Sequence, residues 1–154
     1  MARKSPFYAQ GLCFSCTRCS ACCRYESGYV FLSRKDVSLL GVALKMGYKE
    51  FTDTYCRWVP SENRAERLSL KEKSNCDCIF WVSDTGCSVY EARPLQCRAF
   101  PFWPSILRSK KIWEITAEDC PGIGRGTLHS SNSIEKWLAL RQNDPIISRS
   151  IEVN

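Results

Sequence analysis

Histidine is all but missing from this chain of 154 residues: His129 stands alone, without a ligand-spaced partner. No general base, Ser-His-Asp set or catalytic pair of carboxylates emerges around the cysteines to compensate for it, so side-chain acid–base catalysis has no visible machinery, and His129 itself reads as a surface residue. Long apolar runs are missing too. No segment approaches the ~20 apolar residues of a membrane span, and Met1-Ala2-Arg3-Lys4-Ser5-Pro6 is not followed by an apolar stretch of signal-peptide length. A cytoplasmic protein without a membrane partner is the expectation. There is no internal repeat and no low-complexity tract. Gly122-x-Gly124-x-Gly126 lacks the preceding strand that a nucleotide-binding loop requires.

What the chain does have is enough apolar matter to fold and an excess of cysteine. Hydrophobic residues make up 44%, aromatics 12% and charged residues 25%, which excludes wholesale disorder. The length suits a single domain, residues 1–154 with a core over about 11–142. Eleven cysteines would suggest disulfides in a secreted miniprotein, but in a reducing compartment they point to metal ligation, and their odd number leans the same way. The formal charge of +6 counts every cysteine as neutral. A divalent ion on four thiolates carries about −2, so two such sites would bring the total near +2. The basic residues are scattered over a solvated surface, with Lys110-Lys111 the notable pair of the second half. A basic recognition helix is lacking, which argues against nucleic acid as a partner.

Along the chain, residues 11–25 show neither helical nor strand periodicity and read as a loop wrapped on ligands. Tyr29-Val30-Phe31-Leu32 is a short strand. Ser33 with Asp36 forms an N-cap signal, opening a helix over Arg34–Met46 with Val37, Leu40, Gly41 and Leu44 on one face and Gly47 at C′. A second helix covers Lys49–Trp58, and a polar loop over Pro60–Arg67 precedes a strand over Arg67–Lys73. Residues 78–82 and 87–90 flank Ser83-Asp84-Thr85-Gly86, the clearest hairpin signal. Glu91–Phe100 holds a helical turn despite Pro94, and Pro101-Phe102-Trp103-Pro104 is a rigid aromatic loop on the core. Ile112–Thr116 alternates as a strand, Ser133–Arg141 is a helix, and Asp144-Pro145 begins a tail. The fold class is α+β: short antiparallel strands and a few helices organised around a cysteine-ligated metal site.

Cys13, Cys16, Cys19 and Cys22 recur every three residues, with Cys23 next. A C-x2-C turn is a common way to set two sulfurs on one metal. Three evenly spaced cysteines and a remote Cys-Pro, here Cys120-Pro121, also echo the iron–sulfur run of bacterial ferredoxins. In extended backbone the adjacent Cys22 and Cys23 would face opposite ways, which fits two metal centres or one multinuclear cluster. Arg93 and Arg98 flank Cys97, where guanidinium groups can donate to metal-bound sulfur and offset its charge.

Cys16-x2-Cys19-x2-Cys22-Cys23, then Cys78-Ile79-Phe80, the block Cys87-Ser88-Val89-Tyr90-Glu91-Ala92-Arg93-Pro94-Leu95-Gln96-Cys97-Arg98-Ala99-Phe100-Pro101, and Cys120-Pro121-Gly122 together resemble the CxxCxxCC, or YkgJ-like, family of zinc- or iron-chelating proteins. The resemblance spans roughly residues 13–126. It implies Cys16, Cys19, Cys22, Cys23, Cys78, Cys87, Cys97 and Cys120 as ligands, eight thiolates that suit two four-cysteine centres. Cys13, Cys56 and Cys76 fall outside the pattern. Cys56 reads as a small buried hydrophobe on the second helix, whereas Cys13 and Cys76 are spare or substitute ligands.

All-thiolate sites take zinc and iron–sulfur clusters alike; the three-residue period and the Cys-Pro favour iron–sulfur, with zinc the alternative. The expected function is metal binding in metal handling, electron transfer or a structural role, with metal ions and a protein as the candidate partners and no catalysis of its own. The alternative is an iron–sulfur-dependent transferase: the flagellin lysine N-methylases, associated with methyl transfer from S-adenosylmethionine, resemble this chain in their cysteine cluster.

Overall fold

The computed structural model describes residues 5–152; Met1–Lys4, including the basic pair Arg3-Lys4, and the last two residues lie outside them. The elements run β1 (Leu12–Phe14), a 3-10 turn (Ala21–Cys23), α1 (Arg34–Leu44), α2 (Tyr48–Tyr55), β2 (Cys56–Ser61), β3 (Ala65–Leu70), β4 (Trp81–Val82), β5 (Gly86–Cys87), a 3-10 turn (Tyr90–Ala92), α3 (Leu95–Ala99), α4 (Lys110–Asp119), β6 (Ile123–His129), α5 (Ser131–Asn143) and β7 (Ser148–Ser150). The α+β expectation holds. No helix among the described residues is long and apolar enough to cross a membrane.

The chain divides into two compact units. One comprises the residues up to Cys22 together with Ala99–Gln142, the other Cys23–Arg98 with the chain from Asn143 onward. Each has its own apolar core.

In the larger unit the core gathers Leu32, Val37, Leu40, Phe51, Leu68, Leu70, Phe80 and Val89. Its sheet is antiparallel in the order β2-β3-β7, with Cys56 opposite Leu70 and Ala65 opposite Ser150. The predicted strand at residues 29–32 runs beside β3, where the Leu70 amide donates to Val30 at 2.9 Å and the Leu32 amide to Leu68 at 3.0 Å. α1 begins with a full capping box: the Asp36 amide donates to Ser33 Oγ and the Ser33 amide to Asp36 Oδ2, an arrangement contributing about 1 kcal/mol. The C-terminus of α1 departs from the sequence expectation. Lys45 takes the left-handed conformation (φ 56°) and Gly47 serves as the N-cap of α2. The helix closes on itself through the Met46 amide, which donates to Gly41 O. α2 also stops at Tyr55, so Cys56 starts a strand instead of sitting on the helix. Pro60 and Ser61, expected in a loop, belong to β2, and the expected tail supplies β7. Both follow from pairing with β3, a partner that local sequence does not specify.

In the smaller unit β1 pairs with β6, with Leu12 opposite His129 and an irregularity between Cys13 and Phe14. The core comprises Tyr8, Phe102, Ile106, Leu107, Trp113, Ile123 and Ile134; the aromatic loop after Phe100 is part of it, as expected. Two expectations fail here. Ile112–Thr116 lies in α4, capped by Ser109 Oγ accepting from the Ile112 amide. The inward residues are Ile112, Trp113, Thr116, Ala117 and Cys120, a 3.6-residue rhythm that five residues of apparent alternation conceal. His129 is half-buried: Nε2 lies 2.9 Å from Phe14 O, and its ring centre is 5.0 Å from that of Phe102. It ties β6 to β1.

Candidate metal centre

The boundary between the units falls between Cys22 and Cys23. The adjacent cysteines therefore belong to different structural neighbourhoods.

In the smaller unit a close approach of backbone to backbone sets the site. The Ser15 amide donates to Gly122 O at 3.3 Å, and Ser15 Oγ accepts from the Thr127 amide at 2.9 Å. Ser15 is seated so tightly that a Cβ on Gly122 would stand 2.3 Å from Ser15 O, and one on Gly126 would stand 2.1 Å from Ser15 Oγ. Gly122, in the turn before β6, and Gly126, within β6, are residues of a close contact, with no part in a phosphate loop. The contact puts Cys16, the next residue, at the same end of the unit as Cys120-Pro121. From there the chain winds through left-handed residues at Arg18 (φ 55°) and Ser20 (φ 69°). The first of these turns lets the Arg18 amide donate to Cys16 Sγ at 3.4 Å. Burial pushes the Cys120 thiol above its ordinary value, and the neighbouring Cys19 and Cys22 push it the same way. The amides of Gly122 and Ile123, donating to the same sulfur, oppose them.

In the larger unit, the Cys78 amide donates to Cys23 O at 2.7 Å. Their neighbours lock the same junction: Arg24 Nε pairs with Asp77 Oδ1 at 3.1 Å, and the guanidinium lies over Trp81, 3.7 Å from the ring centre. Asp77 is buried and also accepts from Asn75 Nδ2. Further along, Ser27 Oγ and the Gly28 amide donate to Glu72 and hold its carboxyl below the usual carboxylate range. The hairpin appears as read from sequence, though shorter: Trp81 faces Cys87 across β4 and β5, with Asp84 and Gly86 at positive φ. Cys97 rides on α3, whose first amide, Leu95, donates to Asp36 Oδ1 at 2.8 Å. Gln96 clamps the extended segment on both sides, accepting from the Phe31 amide and donating to Tyr29 O. Arg93 Nε donates to Tyr90 O with its guanidinium over the Tyr90 ring, and Arg98 Nε donates to Arg93 O.

Among the described residues, no three Cys, His, Asp or Glu side chains converge closely enough to enclose an ion. In the smaller unit Cys19 and Cys22 lie near enough to Cys120 to act on its charge, and Cys16 follows the Ser15 contact; the larger joins Cys23 to Cys78 by backbone and presents Cys87 and Cys97 on elements of its own. The residues nevertheless fit a thiolate-bound cation. The donor set is all thiol, the Arg18 amide already points at the Cys16 sulfur, as donors do around metal thiolates, and the eight candidate ligands divide four to each unit.

A family model described as "Putative zinc- or iron-chelating domain" matches residues 15–121. The chain belongs to the CxxCxxCC family. The match takes in ten of the eleven cysteines, the eight ligand candidates together with Cys56 and Cys76, and leaves Cys13 outside. It is also similar to an uncharacterised protein of Methanocaldococcus jannaschii, MJ0661, 28% identical over 108 residues that cover 70% of this chain and 54% of the relative. The chain thus spans about half the length of that relative. No solved structure matches it.

Several residues that build the site were not singled out by sequence reasoning: Ser15, Arg24, Asp36, Asp77 and Gln96. Only Gln96 lies inside the family block, and Asp36 carried just a helix-cap signal. Cys56 behaves as the buried hydrophobe expected. Burial pushes its thiol up to about 12, with the Lys71 charge opposing. At neutral pH it stays a thiol, and iodoacetamide should label it at least roughly tenfold more slowly in the native protein than in denaturant, as peptide mapping would read. Equal rates would contradict the placement.

Proposed function

We propose that this protein is a metal-binding module carrying two all-cysteine centres, one of Cys16, Cys19, Cys22 and Cys120 and one of Cys23, Cys78, Cys87 and Cys97. The observation that carries the reading is the close backbone contact of Ser15 with Gly122, which sets the Cys16 segment beside the Cys120 turn. Supporting it is the chain boundary between Cys22 and Cys23, which divides the eight thiolates four and four. Arg93 and Arg98, whose Nε atoms are spent on backbone carbonyls, keep their remaining guanidinium donors to offset the negative charge of the second centre.

The preferred occupant is iron–sulfur, on the three-residue cysteine period and Cys120-Pro121. A bound cluster would supply electron transfer or a site for metal handling, and zinc would supply structural cross-linking. The protein's own contribution is the same for either: amide donors at the sulfurs, ion pairs that fix the backbone around them, and an apolar core behind each set.

Anaerobic purification followed by quantification of iron, zinc and acid-labile sulfide, with an absorption spectrum of the same sample, tests it. Iron with equal sulfide and a brown colour is the expected result. Zinc without sulfide would overturn the cluster assignment and leave the thiolate centres; no stoichiometric metal at all would overturn the function.

A further inference from the structure

Taking the two-centre reading above, we infer that the centres are inequivalent: the one on Cys16, Cys19, Cys22 and Cys120 is an exchange site whose metal is cargo for a thiol-bearing acceptor, and the other is structural.

The difference lies in how the two sets are seated. Cys16, Cys19 and Cys22 are exposed, as are Thr17 and Arg18 between them, and Cys120 alone of that set is half-buried. The segment carrying the three exposed thiols has no strand or helix through residues 15–20, and its shape depends on two left-handed residues and the amide donated to Cys16. All four cysteines of the second set are at least half-covered. Cys78 and Cys87 pack against the core that holds Phe80 and Val89, Cys23 is bonded through its carbonyl to the Cys78 amide, and Cys97 sits on a helix pinned at Leu95 and Gln96.

Ligand exchange at a metal requires an incoming donor to reach it while an outgoing bond lengthens. Exposed thiolates on an irregular segment permit that approach, and local opening there disturbs few buried contacts. Thiolates built into a sheet, a hairpin and a pinned helix do not, because releasing any one of them opens the core. Each exchange step replaces one protein sulfur–metal bond with one acceptor sulfur–metal bond. The departing cysteinate takes the proton that the acceptor thiol gives up, and no electron moves.

Zinc serves as the probe, since it binds thiolates whichever metal the sites hold in the cell. The full-length protein, loaded with zinc to saturation, is challenged with the chelating dye 4-(2-pyridylazo)resorcinol in excess. Half of the zinc should leave in a fast phase and half at least roughly tenfold more slowly. Dithiothreitol, added as a model thiol acceptor, should accelerate the fast phase in proportion to its concentration and leave the slow one unchanged. Cys16→Ser, on the exposed segment, should remove the fast phase and preserve the slow amplitude; Cys87→Ser should do the reverse. A single release rate for all the zinc, or loss of the slow phase in Cys16→Ser, would overturn the inequivalence while leaving the two centres standing. A chain that takes up no zinc would overturn the two-centre reading itself.

Discussion

Gly122→Ala should strip the smaller unit of its metal and destabilise that unit by about 2–4 kcal/mol, an unusually large effect for the addition of one methyl group. The new Cβ would lie 2.3 Å from the carbonyl oxygen of Ser15 and 3.2 Å from the Phe14 ring. A backbone carbonyl directly after β1 cannot swing aside as the end of a flexible side chain can. The Ser15 segment would have to retreat, which breaks the Ser15–Gly122 backbone hydrogen bond and carries Cys16 away from Cys120. Gly124→Ala is the discriminating control. Gly124 has a positive φ (80°), as Gly122 does not, but nothing lies within 4 Å of a Cβ there. It should cost about 1–2 kcal/mol for the left-handed backbone and leave metal content intact. Urea denaturation gives the stabilities, and metal analysis of the purified variants gives the occupancy. If Gly122→Ala kept full metal content, the close contact would not be what assembles that set of cysteines.

The parts of the fold that were legible in the sequence are those whose cause is local. Ser33 and Asp36 announce a capping box because the partners lie three residues apart, and both hydrogen bonds form. Asp84 and Gly86 announce the hairpin because the turn itself demands positive φ. The failures share a different cause. Ile112–Thr116 offers too few residues to separate a period of 2 from one of 3.6, and what decides for a helix is the cap at Ser109 and the inward placement of Ala117 and Cys120, beyond that window. Lys45 could take the left-handed position that Gly47 seemed to suit because closure of α1 on Gly41 O stabilises it. β7 has no strand signature of its own; Ser148, Arg149 and Ser150 become a strand because β3 presents an unpaired edge.

The candidate site divides in the same way. Cysteine spacing and Cys120-Pro121 identify the ligand candidates, since C-x2-C turns are a common way to set two sulfurs on one metal. What the spacing could not give is the partition. That Cys120 lies beside Cys19 and Cys22 depends on the contact of Ser15 with Gly122 across more than a hundred residues of sequence. That Cys23 goes with Cys78 depends on one backbone hydrogen bond and on the Arg24–Asp77 pair. Neither Arg24 nor Asp77 carries any mark in the sequence that distinguishes it from the other charged residues.

Asp36→Ala should destabilise the larger unit by about 3–5 kcal/mol, lowering its Tm by roughly 20 °C. The carboxylate is wholly buried and its two oxygens serve two amides, Ser33 at the head of α1 and Leu95 at the head of α3. Alanine orphans both donors in a place that water does not reach. Each unsatisfied buried donor costs about 1–3 kcal/mol, and the lost capping box adds about 1 kcal/mol. Asp36→Asn should fall between, because the amide side chain can accept from one of the two and must present its own N–H to the other. Asp53→Ala, at an exposed carboxylate paired with Lys49 on α2, should change stability by less than about 0.5 kcal/mol and controls for generic loss of charge. The informative readout is metal release. Leu95 is two residues from Cys97, so freeing the head of α3 loosens one ligand of the structural centre without touching any cysteine. Zinc should then leave that centre faster while the exposed centre keeps its rate. A stability loss with both rates unchanged would make Asp36 a fold residue alone, and would remove α3 anchoring from the reasons why the second centre holds its metal.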